Sequence, residues 1–225
     1  MPVPGGLDVE TGAALVLDWI SAYQMVNRSA QVKAGDRVFV HGLSGAVGCA
    51  ILALATLQGA DVYGTASPKK HKALRDLGAT PYTYEDKAWF DSIHASGGVD
   101  AVFDALGHAS FNESYSILRR GGVLVGFGMN LPAVQGVPSP SIFPPMLKLM
   151  SRNLAVWSGK RTAFYSVNRK DKSFATDLGT LFEMLRTEKI SVAVKGVFRL
   201  EDIRNAHRAW RESANIGSII VAVQA

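Results

Sequence analysis

The chain has 225 residues and is 48% hydrophobic, enough for one large domain, or a domain with a small appendage, around a sizeable core. A single cysteine, Cys49, excludes an intrachain disulfide and a zinc site built on cysteines. The net charge of +5 lies in small basic groups such as Arg119-Arg120 and Lys160-Arg161 without interleaved aromatics, a solvated surface rather than a nucleic-acid motif. The first predicted element is a helix over 9–26, with Ala13, Ala14, Leu17, Ile20 and Met25 at helical spacing and Asp8 or Thr11 as its cap. A turn at Lys33–Asp36 leads to an apolar strand at 37–41, a glycine turn, and an apolar helix over 46–57 ended by Gly59. A strand at 61–66 follows, then a helix started by Pro68 and stopped at Gly78. A short strand at 81–83, a helix over 86–95, a strand at 99–105, a helix over 110–118 and a strand at 123–127 continue the alternation. Five prolines between Asn130 and Pro145 predict a loop, and 153–157 predicts a sixth strand at the sheet edge. The tail reads as helix 174–186, strand 192–198, helix 200–211 and strand 217–223.

Regular alternation of strand and helix implies right-handed βαβ crossovers and a parallel sheet. The expected class is therefore α/β: a Rossmann doubly wound parallel sheet with a short α+β C-terminal extension. The expected division is a hinge-helix segment at 1–27, the dinucleotide-binding domain at 28–165, and the extension at 166–225. The N-terminus lacks the basic and apolar regions of a signal peptide, and the longest apolar run is too short to span a bilayer. A cytoplasmic protein with no membrane partner is expected.

The strongest motif is Gly42-Leu43-Ser44-Gly45-Ala46-Val47-Gly48, between the first strand and an apolar helix. Without Cβ atoms the turn can be tight, and a pyrophosphate can approach the backbone at the helix N-terminus. The spacing is G-x-x-G-x-x-G, so Leu43 departs from the G-x-G-x-x-G pattern. The end of the second strand tells NADP from NAD. NAD binders tend to carry an acid there for the ribose 2′-hydroxyl. Here Gly64–Lys70 has no acid and offers Ser67, Lys69 and Lys70, which suit a 2′-phosphate. The bland alternative is two surface lysines in a first helical turn, where cations oppose the helix dipole. NADP(H) is the expected cofactor, with no metal.

These segments resemble the medium-chain dehydrogenase/reductase superfamily, in its zinc-free quinone oxidoreductase and enoyl reductase branch. The resemblance is carried by Val32-Lys33-Ala34-Gly35-Asp36-Arg37-Val38, the glycine turn, Leu77-Gly78-Ala79-Thr80 and Gly98-Val99-Asp100. Phe103-Asp104-Ala105-Leu106-Gly107, Gly121-Gly122 and the tail Phe198–Ile203 with Ala206-His207 extend it over nearly the whole chain. It implies that Ser67 and Lys70 contact the 2′-phosphate and that Tyr84 lies near the adenosine. It further implies that Leu106-Gly107 and Phe127-Gly128-Met129 line the ribose and nicotinamide, with Ser21 near the nicotinamide. Tyr84 reads equally as a packing tyrosine, and His41, His108 and Asp104 read better as structural residues than as acids or bases.

The family's N-terminal GroES-like catalytic domain is absent from this sequence. The tail is therefore expected to lack the partner it normally packs on. The function implied is an NADPH-dependent oxidoreductase that transfers a hydride to a quinone or α,β-unsaturated carbonyl. No catalytic residue is singled out. The alternatives are a cofactor-binding module without turnover and a non-redox enzyme, a cyclase or isomerase, that reuses the open cleft. The expected partners are a small-molecule substrate and a second copy of the chain in a homodimer, because an apolar edge strand tends to be covered.

Overall fold

Strands made mostly of consecutive apolar residues are built to be buried on both faces, and the central strands of this chain are used that way. In the computed structural model, which describes residues 4–85, 87–128, 141 and 143–223, six strands form one parallel sheet. They are β1 (Arg37–His41), β2 (Asp61–Thr65), β3 (Thr80–Tyr82), β4 (Val99–Asp104), β5 (Leu118–Gly126) and β6 (Arg161–Phe164). Their spatial order is β3-β2-β1-β4-β5-β6. The strand order reverses between β1 and β4, the switch point at which doubly wound sheets place a ligand crevice, at the strands' C-terminal ends. Alternation along β1 sends Val38 and Val40 to one core and Phe39 to the other. The larger core lies under the N-terminal helix, α3 (Ala46–Leu57) and α8 (Lys172–Arg186). The second lies under α5 (Ala88–Ala95), α6 (His108–Ser116) and α7 (Phe143–Ser151), around Phe39, Trp89, Phe111 and Leu149. Helix α4 (His71–Asp76) joins β2 to β3. No helix among the described residues is long and apolar enough to cross a membrane.

The N-terminal helix alternates α turns, α1 (Val9–Ala14) and α2 (Ile20–Gln24), with π turns at Leu15–Trp19 and Met25–Ala30. Each π turn holds an extra residue and rotates the buried face. Leu15 and Trp19 are therefore buried, while Ala13 and Leu17, expected inside, face solvent. Asp8 caps α1 by accepting from the Thr11 N–H at 2.8 Å.

Two expectations about the edge of the sheet are corrected. Residues 153–157 are not a strand. They form 3-10 turns, Arg152–Leu154 and Val156–Ser158, and the edge strand is β6. Pro144 and Pro145 do not belong to a loop but sit in the first turn of α7, where a missing N–H costs nothing. Most of the expected loop, 130–140 and 142, lies outside the described residues, as does Met129. Helix α6 also stops at Ser116, because Leu118 already pairs with Val99 in β5.

The tail forms a βαβ unit: β7 (Val194–Arg199), α9 (Ile203–Glu212) and β8 (Ser218–Ala222), with β7 and β8 parallel. It packs on the rest of the chain. Ile220 joins the larger core, the Ser218 hydroxyl donates to Asp18 at 2.7 Å, and Gly217 bridges to Gly45 of the glycine turn.

Candidate functional site

In a parallel sheet the C-terminal ends of neighbouring strands share one edge. Four expected site segments therefore come together: the glycine turn after β1, Ser67–Lys70 after β2, Leu106-Gly107 after β4, and Phe127-Gly128 after β5. The glycine turn is fixed by its own backbone. The Leu43 N–H donates to Thr65 O at 2.9 Å, and the Gly45 N–H to Gly42 O at 2.9 Å. Gly45 is the N-cap residue of α3, so the first-turn N–H groups of Ala46, Val47 and Gly48 have no carbonyl of the helix to reach. Ser44 is buried, and its carbonyl accepts from the Gly217 N–H at 3.1 Å.

A polar chain under the turn holds the crevice floor. Asp104 is fully buried and accepts from the Leu106 N–H at 2.8 Å and from the hydroxyls of Ser110 and Ser114 at 2.7 and 2.6 Å. Ser114 uses its single proton on Asp104, so His41 must donate from Nε2 across the 3.1 Å contact. His41 Nδ1 is then left to accept from the Thr65 hydroxyl at 3.4 Å, and Thr65 Oγ1 in turn accepts from the Gly42 N–H at 3.3 Å. Burial holds the imidazole below its usual value, against the pull of Asp104. His41 and Asp104 act as positioning groups in this arrangement. The Phe127 N–H donates to Asp104 O at 3.0 Å, which seats Phe127-Gly128 beside Leu106-Gly107.

Ser67 precedes a 3-10 turn, Pro68–Lys70, and is half-buried. Lys70, expected on the surface or at a phosphate, is only 7% exposed. Beside it lies Lys195 from β7, also 7% exposed, a residue that sequence reasoning missed. The two ammonium groups are within hydrogen-bonding reach of each other. Burial, together with the neighbouring cation, pushes Lys195 down to about 8 and lowers Lys70. Nothing local in a strand of alternating burial marks one lysine as the buried partner of another 125 positions away.

Two further expected residues lie on other elements. Tyr84 follows the outer strand β3 and is 53% exposed. Ser21 is buried on α2, hydrogen-bonded with Tyr165, whose hydroxyl also donates to Gln24 at 2.9 Å. Gln24 and Arg28 in turn grip Asp177 of α8, with Arg28 Nη2 2.5 Å from Oδ1. Burial raises the Asp177 carboxyl, but the Arg28 and Gln24 hydrogen bonds more than offset it, so the group titrates below its usual value of 3.8. A depressed carboxylate contributes stability above the unfolded value and loses it as pH falls through the folded one. Asp177→Asn should therefore be less stable than wild type at neutral pH. The difference should vanish in acid below pH 3.8, as read from unfolding midpoints against pH.

Among the described residues, no three His, Cys, Asp or Glu side chains gather as a metal-binding group.

Comparison with known proteins agrees with this architecture. The family model described as zinc-binding dehydrogenase matches residues 46–177. A probable quinone oxidoreductase of Schizosaccharomyces pombe is 24% identical over 96% of this chain and 63% of its own length. The human synaptic vesicle membrane protein VAT-1 homolog is 27% identical over 97% of this chain and 58% of its own. A mycobacterial protein solved in complex with NADPH superposes with a TM-score of 0.79 at 27% identity, over 98% of this chain and 66% of its own. The chain thus spans roughly half to two thirds of the length of such relatives. With the family model covering more than half of it, the chain belongs to the medium-chain dehydrogenase/reductase superfamily, in its quinone oxidoreductase-like branch.

Proposed function

We propose that the chain binds NADP(H) in the crevice between β1 and β4 and serves a reductase of quinones or α,β-unsaturated carbonyls. The observation that carries this reading is the glycine turn. A Cβ on Gly48 would stand 2.4 Å from Gly42 O, so only glycine lets the loop fold this tightly onto the start of α3. Gly42, Ser44, Gly45, Ala46, Val47 and Gly48 would hold the pyrophosphate at the helix N-terminus. Ser67 and Lys70 would hold the 2′-phosphate, and Tyr84 would flank the adenosine. Leu106, Gly107, Phe127 and Gly128 would line the ribose and nicotinamide, with Ser21 near the nicotinamide. When bound, the dihydronicotinamide supplies the hydride; the protein's part is to orient it and exclude water.

Titration with NADPH and NADH tests the site, and NADPH consumption with a panel of quinones and enones tests the reaction. NADPH should bind the more tightly. Lys70→Ala should cost NADPH on the order of 1–3 kcal/mol, the range for a charge-assisted hydrogen bond, and leave NADH nearly unchanged. Equal losses for both cofactors would contradict the 2′-phosphate assignment. Firm binding with no consumption would favour a cofactor-binding module.

A homodimer accompanies this reading. Leu154, Val156 and Trp157 are between 77% and 79% exposed beside the edge strand β6, and Phe143 and Leu147 add apolar surface nearby. The edge itself is blunted, because the Asn153 carboxamide both donates to and accepts from the Thr162 backbone. Contact through side chains is therefore expected rather than strand continuation. Light scattering should give twice the 24.1 kDa of one chain, and Val156→Lys should halve it. A single-chain mass for the unaltered protein removes the dimer.

A further inference from the structure

Buried ammonium groups are nearly always paired with an anion, because an uncompensated charge in a low-dielectric site is costly. Lys70 and Lys195 break that rule. Both are 7% exposed, and each has the other as its neighbour. The other titratable groups acting on Lys195 are Lys69, from the same turn, and the Cys49 thiol of α3, which burial pushes up to about 12 and so keeps neutral. From α9 the contact is a carbonyl, Glu212 O, which accepts from Lys69 Nζ at 2.5 Å. Among the described residues no carboxylate acts on the pair. The position is as informative as the charge. Lys70 ends the turn after β2, while Lys195 is carried by the tail unit that Gly217 ties to Ser44 and Gly45 of the glycine turn.

We infer that Lys195 is a second cationic ligand of the 2′-phosphate, beside Lys70, which makes the C-terminal βαβ unit part of the cofactor site and a determinant of NADP(H) specificity. The inference rests on the NADP(H) reading above. A dianionic phosphomonoester between the two ammonium groups would replace a repulsion with two charge-assisted hydrogen bonds. It would also restore the proton of Lys195. Above about pH 8 that ammonium is largely neutral in the free protein, so binding there takes up a proton and NADPH affinity falls as pH rises.

Lys195→Met tests this, since it keeps the aliphatic stem and removes the charge. NADPH affinity at pH 7 should fall tenfold or more, with NADH within twofold. Adenosine 2′,5′-bisphosphate should lose affinity in parallel with NADPH, while AMP should not. The melting temperature of the cofactor-free variant should rise, because one of two repelling buried charges is gone; a purely structural lysine would do the opposite. Lys195→Arg, which stays charged, should keep the preference for NADPH and lose the pH dependence between 7 and 9. If Lys70→Ala weakens NADPH selectively and Lys195→Met does not, the inference fails and the cofactor reading stands. If inorganic phosphate competes as well as the bisphosphate, the pair is a general phosphate site and the inference fails. If wild type does not prefer NADPH to NADH, both fall together.

Discussion

Gly45→Val should fold and fail to bind NADPH, whereas Gly48→Val should fail to fold. The two glycines are three positions apart in one turn, yet their environments differ. Gly45 has extended backbone, φ −78° and ψ 174°, which a branched residue adopts readily. A Cβ there would lie 3.3 Å from Gly42 O, a contact that a shift of a few tenths of an ångström relieves. The valine methyls would then occupy the mouth of the turn, where the pyrophosphate is proposed to approach. At Gly48 the same atom meets two backbone carbonyls, at 2.4 Å from Gly42 O and 2.7 and 2.8 Å from Leu43 O and C. That backbone is pinned to β2 through the Leu43–Thr65 hydrogen bond and has nowhere to move. Even Gly48→Ala should cost about 3 kcal/mol, at the upper end of ordinary overpacking, or roughly 10 °C in melting temperature for a chain of this size. Thermal melts and NADPH titrations of the variants separate the two effects. Normal NADPH affinity in a folded Gly45→Val protein would sink the phosphate site.

Asp104→Ala should be the most damaging change on the crevice floor. It removes the acceptor of the Leu106 N–H and of two buried hydroxyls. Ser110 retains Gly107 O, but the Leu106 N–H and the Ser114 hydroxyl proton, on which His41 donates rather than accepts, both lose their acceptor. Loss of charged hydrogen bonds plus two stranded donors amounts to at least about 3 kcal/mol. Cofactor affinity should fall as well, because Leu106-Gly107 and the Gly42 end of the chain lose their anchor. Asp104→Asn keeps an acceptor for Leu106 and should recover part of both losses. Denaturant midpoints read the first quantity and NADPH titration the second. An Asp104→Ala protein of wild-type stability would show that the polar chain is idle.

The sheet was legible because its signals are local and redundant. Each central strand is a short apolar run bounded by glycine or proline, and the glycine turn stands where such a strand meets a helix. The failures occurred where the deciding contact is distant. Leu154, Val156 and Trp157 have the composition of a strand, but Asn153 is bound to Thr162 and the chain turns at Gly159 before it reaches β5. Arg161–Phe164 carries no comparable apolar run; pairing with Val123–Gly126 makes it a strand. In the N-terminal helix a period of 3.6 put Leu17 inside, and two π turns placed Leu15 and Trp19 there instead. Of the site, the residues after β1, β2, β4 and β5 could be placed from sequence, since parallel order alone gathers them. Lys195 could not, because its burial depends on how the tail docks.

That docking sets the order in which the protein matures. The Ser218–Asp18 hydrogen bond joins residues 200 positions apart, and Gly217 reaches Ser44 and Gly45 from the same strand. While the chain is still on the ribosome, β1 to β6 can assemble from segments already made, but the rim of the glycine turn stays uncovered until the tail emerges. Closing a link across so much chain is slow compared with pairing neighbouring strands. The sheet is thus an early product of synthesis and the finished crevice a late one. A nascent chain stalled before Gly217 would carry the whole Rossmann sheet with its site incomplete.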